Sequence, residues 1–171
     1  MYGHPPRSAS AGESRLVGKN RPMPAADALE VVDFTAADPD PLLRAAAGRV
    51  RSGLGWVNLL PLVDDPGELP RQSVWASIFG AKGGPVPMCT WMTGSVGVQH
   101  GVGTKASATL AAAGIGLPDG WRVMQDSPRR GLVIELPEDT DPADVVGWLV
   151  RAGEALSVVE TSGDWRAVIY G

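Results

Sequence analysis

The sequence predicts an α+β fold, a single-domain sandwich in which helices pack on one face of a mostly antiparallel sheet. Three observations predict it. Short apolar runs that are typical of strands alternate with segments whose apolar residues recur at helical spacing. The segment 127–131 separates two such runs and has the composition of a hairpin loop between antiparallel strands. The chain has 171 residues, which is a usual size for one domain.

The first half of the chain contains two predicted strands and one predicted helix. The strands are 29–34 and the apolar run 56–60. Between them, Asp40 followed by Pro41 predicts a helix start, because an N-cap carboxylate accepts free amide hydrogens and proline suits the first helical position. The buried stripe expected for this helix consists of Leu43, Ala47, Val50 and Leu54.

The second half of the chain contains more of both element types. The predicted strands are 86–92, 95–99, 121–126, 132–136 and 165–170. One predicted helix is capped by Gly103 or Thr104 and runs to Ala113. The other has the strongest start signal of the chain, Asp141 as N-cap followed by Pro142. Its expected buried stripe consists of Val145, Leu149, Ala152 and Leu156.

From residue 95 onward, the predicted elements follow the order β-α-β-β-α-β. This is the ferredoxin-like order of strands and helices. It supports a sheet of antiparallel strands covered by two helices in the C-terminal half.

Two segments stand apart from these elements. Residues 1–28 are rich in proline, serine and glycine and have few large apolar residues, so they bury too little surface to offset the entropy of ordering. We therefore expect a disordered or extended N-terminal arm over 1–28 and one α+β domain over 29–171. Residues 70–84 are ambiguous, because a short stretch of helical spacing runs into several glycines.

Charge and composition disfavour several classes of protein. The net charge of −4 argues against a domain that binds nucleic acid over its whole surface, because such domains are usually basic. Residues 1–24 carry four basic residues against Glu13 alone, so nucleic acid is expected to bind only through this arm, if at all. No apolar stretch approaches the ~20 residues of a membrane span, and no apolar signal segment opens the chain. With a single cysteine, these features predict a cytoplasmic protein that binds no membrane.

Residues 99–105 are the strongest candidate for a binding site. They follow a predicted strand and open a predicted helix, whose N-terminus presents free amide hydrogens and a partial positive charge. Glycine at 101 and 103 would let an anion approach the backbone, and His100 and Lys105 would add donors. A strand–helix turn that needs glycine for its backbone angles explains the same residues without a ligand.

The hairpin loop at 127–131 adds two arginines to this hypothesis. A guanidinium group binds phosphate through paired hydrogen bonds, so these side chains would clamp an anion if the fold brings them near the loop. The alternative is that they are simply solvated. The complete set of candidate ligand-binding residues is His100, Gly101, Gly103, Thr104, Lys105, Arg129 and Arg130.

The sequence predicts no catalytic residues, no metal site and no cofactor. Cys89 lies inside an apolar strand, where a lone cysteine usually behaves as a small buried hydrophobic residue. Its pairing with His100 and Asp126 would form a thiolate–imidazole nucleophile, but nothing in the spacing requires it. With His4 in the N-terminal arm, only His100 and Cys89 remain as nitrogen or sulfur ligands, too few for a structural zinc.

These observations favour a non-catalytic binding or accessory protein that acts through a sheet face or edge together with the basic arm. Six tryptophans, against two phenylalanines and two tyrosines, predict a core or a buried interface organised around indoles. A protein partner or self-association is therefore expected. The excess of arginine over lysine, 12 to 3, indicates a bacterial genome of high GC content. The alternative is a small enzyme or ligand-binding domain that holds a phosphate-bearing molecule, such as a nucleotide or acyl-CoA, at 99–105.

Overall fold

The computed structural model describes residues 27–64 and 84–171. Nearly all of the N-terminal arm predicted over 1–28 lies outside these residues, as does the ambiguous segment 70–84 apart from its last residue.

Seven strands form one sheet. They are β1 (Ala28–Thr35), β2 (Trp56–Pro61), β3 (Met88–Met92), β4 (Ser95–Gln99), β5 (Arg122–Ser127), β6 (Gly131–Glu135) and β7 (Asp164–Tyr170). Their order across the sheet is β1-β7-β2-β3-β4-β6-β5, and each neighbouring pair is antiparallel. Together with the helices described below, this confirms the predicted α+β class and the antiparallel sheet.

The described residues form three helices, α1 (Asp40–Arg51), α2 (Ala106–Ala112) and α3 (Pro142–Leu156). The longest, α3, packs directly on the sheet. A Cβ placed on Gly153 would lie 2.5 Å from the Trp165 ring and 3.2 Å from the Cys89 sulfur. The four residues predicted for its buried stripe are all buried, and the Asp141 carboxylate accepts a hydrogen bond from the Ala143 amide as an N-cap should.

One face of the sheet carries the core. In the register, Val57 lies opposite Trp91 and Leu59 opposite Cys89, and all four side chains are buried. The same alternation continues across the sheet and buries Phe34, Val96, Val98, Leu132, Ile134, Trp165, Ala167 and Ile169. Four of the five tryptophans among the described residues are buried, namely Trp91, Trp121, Trp148 and Trp165. Indole rings therefore supply much of the packed surface.

The predicted cap of α1 was wrong by one residue, and its predicted buried stripe was correct only at Val50. Asp40 is the first residue of the helix rather than its N-cap, and the N-cap position is Pro39. The buried residues are Leu42, Ala46 and Val50, whereas Leu54 lies beyond the helix end and is 65% exposed. Because two leucines are adjacent at 42 and 43, two overlapping apolar stripes fit the sequence, and only tertiary contacts select between them.

The C-terminal half follows the predicted chain order β4, α2, β5, β6, α3, β7. In the sheet, β4, β6 and β5 are neighbours, but β2 and β3 lie between β7 and β4. Two strands that precede residue 95 in the chain therefore interrupt the C-terminal unit. Such long-range strand pairing has no local sequence signal.

Both edge strands are irregular. The register of β1 against β7 shifts between Ala28 and Glu30, and that of β5 against β6 shifts between Val123 and Gln125. The extra residue in β5, Met124, is 64% exposed. Bulges of this kind hinder an edge strand from pairing with another chain.

Candidate functional site

One end of the sheet brings together the residues that the sequence predicted for an anion site. β4 and β5 end there and β6 begins there, because β6 is antiparallel to both. The loop 100–105 leaves β4 at this end, and Arg129 and Arg130 form the turn between β5 and β6. A Cβ placed on Gly131 would lie 2.5 Å from the Val98 carbonyl oxygen, so this turn lies against the start of the loop. We call this region the sheet end.

The N-terminus of α2 already holds a carboxylate of the chain itself. Asp126, near the end of β5, accepts hydrogen bonds from the Ala106 amide at 2.9 Å and from the Ser107 amide at 3.1 Å. The Ser107 hydroxyl donates to the same carboxylate. The predicted caps Gly103 and Thr104 are therefore incorrect, because the helix starts at Ala106 with a cap from a distant strand.

The surroundings of Asp126 favour its charged form. Partial burial raises its pKa, but the hydrogen bonds from Ser107 and Ala106 and the nearby charge of Lys105 outweigh burial and hold the pKa below the ordinary value. The amides at the start of α2 and the charge of Lys105 therefore both favour the Asp126 carboxylate.

His100 is the one charged or polar residue among the buried side chains of the described chain. It is 2% exposed, and neither ring nitrogen has a hydrogen-bond partner within that part of the chain. Burial lowers its pKa, and the charge of Asp126 opposes this only partly. The imidazole is therefore held in its neutral form, with one donor and one acceptor unused.

The remaining residues of the predicted set are exposed. Gly103 has φ +71°, and a Cβ there would meet nothing within 4 Å, so glycine serves the backbone angle rather than a close contact. The side chains of Thr104, Lys105, Arg129 and Arg130 lie at the surface, as does Gly101. None of the three cations forms an ion pair within the described residues.

Cys89 lies on the core face, away from these polar groups. It is fully buried, and its sulfur donates to the Leu149 carbonyl oxygen of α3 at 3.7 Å. Burial raises the pKa of the thiol to about 12. The thiolate that a nucleophilic cysteine needs is therefore strongly disfavoured at neutral pH.

Apart from Gly131 at the start of β6, the opposite face of the sheet, which we call the open face, carries no buried residue within the described chain. Its central row crosses all seven strands in register. The row consists of Val31, Val168, Asn58, Thr90, Gly97, Val133 and Gln125. The rows on either side add the apolar side chains of Trp56, Leu60, Met88, Met92 and Tyr170. Each of these residues is half-buried or exposed.

Specific contacts order the open face. The Trp56 and Tyr170 rings stack with their centroids 5.0 Å apart and their planes at 10°. Thr90 donates its hydroxyl hydrogen to the Asn58 side chain at 2.9 Å. At the margin, Arg166 forms a two-point ion pair with Asp33, with its Nε 2.7 Å from Oδ1. These contacts hold side chains of the open face in defined positions.

A cleft of about 490 Å³ lies elsewhere, between the end of α1, the β3–β4 turn and the start of α3. Its polar lining includes Arg51, Glu138 and two threonines. Both threonine hydroxyls are engaged, Thr93 with the Val50 carbonyl oxygen at 2.6 Å and Thr140 with that of Pro137 at 2.7 Å. The cleft thus offers few unused polar groups on its walls.

Sequence reasoning did not identify which residues form the open face, although a signal was present. The run 56–60 is apolar except at Asn58, which predicts a buried strand. The structure buries Val57 and Leu59 and leaves Trp56 and Leu60 half-buried on the other face. An apolar run in an antiparallel sheet with one packed face therefore indicates an exposed apolar surface.

No protein family, curated protein or solved structure matches the chain. Within residues 27–64 and 84–171, no helix combines the length and apolar character needed to cross a bilayer. The same residues contain no cluster of three or more His, Cys, Asp or Glu suited to a metal ion.

Proposed function

We propose that this chain is a non-catalytic binding or accessory protein of a bacterial cytoplasm, and that its open face docks another protein. The observation that carries the proposal is the width and composition of that face. It spans seven strands and presents tryptophan, tyrosine, leucine, methionine and valine side chains that are not buried. Contiguous apolar surface of this kind, rimmed by polar residues, is typical of protein interfaces.

The burial pattern supports different roles for the two faces of the sheet, with the core face packed inside the protein and the open face available for binding. The core face takes all the buried side chains of the strands, and α3 packs on it. We infer that all three described helices lie on that side, as in the predicted sandwich. We also infer that the C-terminal half is a ferredoxin-like unit with the β2–β3 pair inserted.

The edges of the sheet support docking on the face rather than pairing along an edge. Both edge strands contain a bulge, which misaligns the backbone groups that an added strand would pair with. The open face has no such obstruction, because its central row is in register from β1 to β5.

The test compares two charge-introducing substitutions. Val168→Glu places a carboxylate in the central row of the open face, and Leu54→Glu places one at an exposed leucine outside the sheet. Both variants should keep the wild-type melting temperature within a few degrees, because neither site is in the core. We expect Val168→Glu to lose partners that Leu54→Glu retains in quantitative affinity purification from the source cells. Equal retention by both variants would refute docking on this face.

A second proposal places a phosphate-bearing ligand at the sheet end. The observation that favours it is that Lys105, Arg129, Arg130 and His100 lie at the same end of the sheet, and that the His100 imidazole has no hydrogen-bond partner within the described residues. Because Asp126 takes the first amides of α2, such a ligand would be held by side chains rather than by the helix terminus. A nucleotide or acyl-CoA at one hundred times its dissociation constant should stabilise the wild type by about 2.7 kcal/mol. The stabilisation should shrink in Lys105→Ala, and an equal gain in both proteins would exclude the site.

A further inference from the structure

We propose that the partner on the open face is a second copy of this chain, packed face to face about a two-fold axis that runs parallel to the strands at β3. The inference rests on the proposed function, because it uses the same face. Most soluble oligomers are symmetric homo-oligomers, and two-fold dimers are the commonest of them.

The open-face side chains of the strands that flank β3 differ in size between its two sides, and this difference suits a two-fold axis at β3. On one side of β3, strands β2 and β7 present Trp56, Tyr170 and Val168. On the other side, β4 presents Ser95 and Gly97 at the same levels. A Cβ on Gly97 would meet only Leu132 and Thr90, at 3.8 and 4.0 Å, so this position is a shallow depression with room for a side chain.

The central position of β3 sets the facing pairs. It is the fourth of seven strands, so the rotation exchanges β2 with β4, β7 with β6 and β1 with β5. Trp56 then lies over the partner's Ser95, and Asn58 over the partner's Gly97. In these two pairs a larger side chain faces a smaller one, which is how packed layers interdigitate. Facing sheets lie about 10 Å apart and cross at about 30°, so these pairs are neighbours rather than exact opposites.

Charges on the open face are compatible with this arrangement. Glu135 and Arg122 lie at the same level as Tyr170 and Ala28 along the sheet. The rotation places Glu135 over the partner's Tyr170, whose hydroxyl is a suitable donor, and Arg122 over the partner's Ala28. Like charges do not face each other, so the contact avoids the repulsion that suppresses wrong pairings.

The size of the face also favours an axis at its centre. Six spacings of about 4.8 Å and five residues of about 3.4 Å give a flat footprint on the order of 500 Å² per copy. A standard interface buries about 800 Å² of accessible surface per partner, and side-chain relief makes accessible area larger than footprint. Only nearly complete overlap approaches that value, and an axis at the central strand β3 gives the largest overlap of the two faces.

The axis makes a specific prediction about cross-linking. Thr90 lies on β3 in the central row, so it faces its own counterpart across the axis. We would replace Cys89 by alanine and introduce Thr90→Cys as the only thiol. A short bis-maleimide should then link two copies. At concentrations below the dissociation constant of the dimer, the yield of cross-linked protein should rise with protein concentration. Val31→Cys in the same background is the control, because its counterpart lies at the far edge of the partner's sheet.

Analytical ultracentrifugation of the full chain gives the second measurement. We expect a dimer for the wild type and for Leu54→Glu, and a monomer for Val168→Glu and Gly97→Phe. The Gly97 variant fills the depression while leaving the core face intact, so circular dichroism should be unchanged.

Two results would overturn the inference. One is a wild-type monomer at all concentrations with no Thr90 cross-link, while Val168→Glu still loses a different protein. That outcome would exclude a second copy of the chain as the partner but would leave the proposed docking of another protein on the open face intact. The other is a monomer in which the Thr90→Cys thiol resists a monofunctional maleimide. That outcome shows a face covered by the chain itself and removes both proposals.

Discussion

Cys89 carries a thiol, which ordinarily ionises at alkaline pH, and His100 an imidazole, which ordinarily ionises at mildly acidic pH, and both side chains are buried. Burial raises the pKa of the Cys89 thiol to about 12 and lowers the pKa of the His100 imidazole, so each is held neutral. The thiol has the Leu149 carbonyl oxygen as its acceptor, whereas both imidazole nitrogens lack a partner within the described residues. His100 is therefore the side chain of this core whose burial is least compensated.

The neutral state of His100 predicts how stability depends on pH. The unfolded chain binds a proton at His100 near pH 6.5, and the folded chain binds it only at lower pH. Its contribution is therefore fully present above about pH 6.5 and is lost as the pH falls from there towards the folded pKa. Protonation of His100 changes the free energy of unfolding by at most about 1.4 kcal/mol per pH unit.

Urea denaturation between pH 7.5 and 5.5 measures this dependence. The matched variant is His100→Gln, which keeps polar atoms but does not titrate. We expect the wild type to lose more stability than the variant over this range. Parallel curves for the two proteins would show that protonation of His100 is not coupled to folding.

Asp126 predicts a second effect at the residue scale. Its carboxylate caps α2 through the Ala106 and Ser107 amides, and loss of an N-cap carboxylate costs about 1 kcal/mol. Asp126→Ala should lower the free energy of unfolding by about this amount at pH 7. The depressed pKa means that the contribution is present above about pH 3.9 and is lost as the pH falls through the folded value.

The control for this prediction is Asp119→Ala. Asp119 is exposed and accepts no hydrogen bond from another described residue, so its loss should change stability by less than about 0.5 kcal/mol. Equal effects of the two substitutions in urea denaturation would contradict the cap.

At the scale of elements, α3 offers a matched pair of glycines. Gly147 and Gly153 lie in the same helix, where glycine normally costs about 0.5–1 kcal/mol relative to alanine. A Cβ on Gly147 meets nothing within 4 Å, whereas one on Gly153 would lie 2.5 Å from the Trp165 ring. Gly147→Ala should therefore stabilise the protein by about 0.5–1 kcal/mol. Gly153→Ala should destabilise it by about 1–3 kcal/mol, because α3 must move away from the sheet.

Melting temperatures and urea midpoints of the two alanine variants give the comparison. Opposite signs are expected for the two sites. Stabilisation by both substitutions would mean that α3 does not approach the sheet as closely as the Trp165 contact requires.

The same elements show how far the sequence predicts this fold. α3 was predicted with its cap and its buried stripe, because Asp141, Pro142 and the apolar spacing are all local signals that agree. The predicted start of α2 was wrong, because the cap of this helix comes from Asp126, which lies 20 residues beyond Ala106 in the chain. Local patterns cannot report a contact of that kind.

The candidate sites differ in the same way. The residues of the sheet end were named from the sequence because glycines and cations stand out, and the topology brings them to one end of the sheet. The sequence does not predict that the Asp126 carboxylate of β5 occupies the N-terminus of α2, because the two are distant in the chain. The residues that meet on the open face depend on which strands pair with each other. The pairing of Trp56 with Tyr170, for example, joins residues far apart in the chain.

At the scale of the whole molecule, the sheet has one packed face, one open face and two irregular edges. A seven-stranded open sheet with exposed apolar residues risks pairing edge to edge with other copies. The bulge in β5 opposes this, because Met124 has no partner in β6 and displaces the outer backbone groups. If the open face docks a partner as proposed, the irregular edges restrict association to that face.

Removing the bulge should therefore release association along the edge. Deleting Met124 leaves Val123 opposite Ile134 and Gln125 opposite Val133, so each remaining side chain keeps its face and β5 becomes a regular strand. We expect the deletion variant to keep the native circular dichroism spectrum but to aggregate faster in light scattering during incubation below its melting temperature. Met124→Lys retains the bulge and adds a charge at an exposed edge position, so it should remain as soluble as the wild type. If the deletion variant is as soluble as Met124→Lys at the same concentration, the bulge does not protect this edge, and the proposed restriction of association to the open face loses its physical basis.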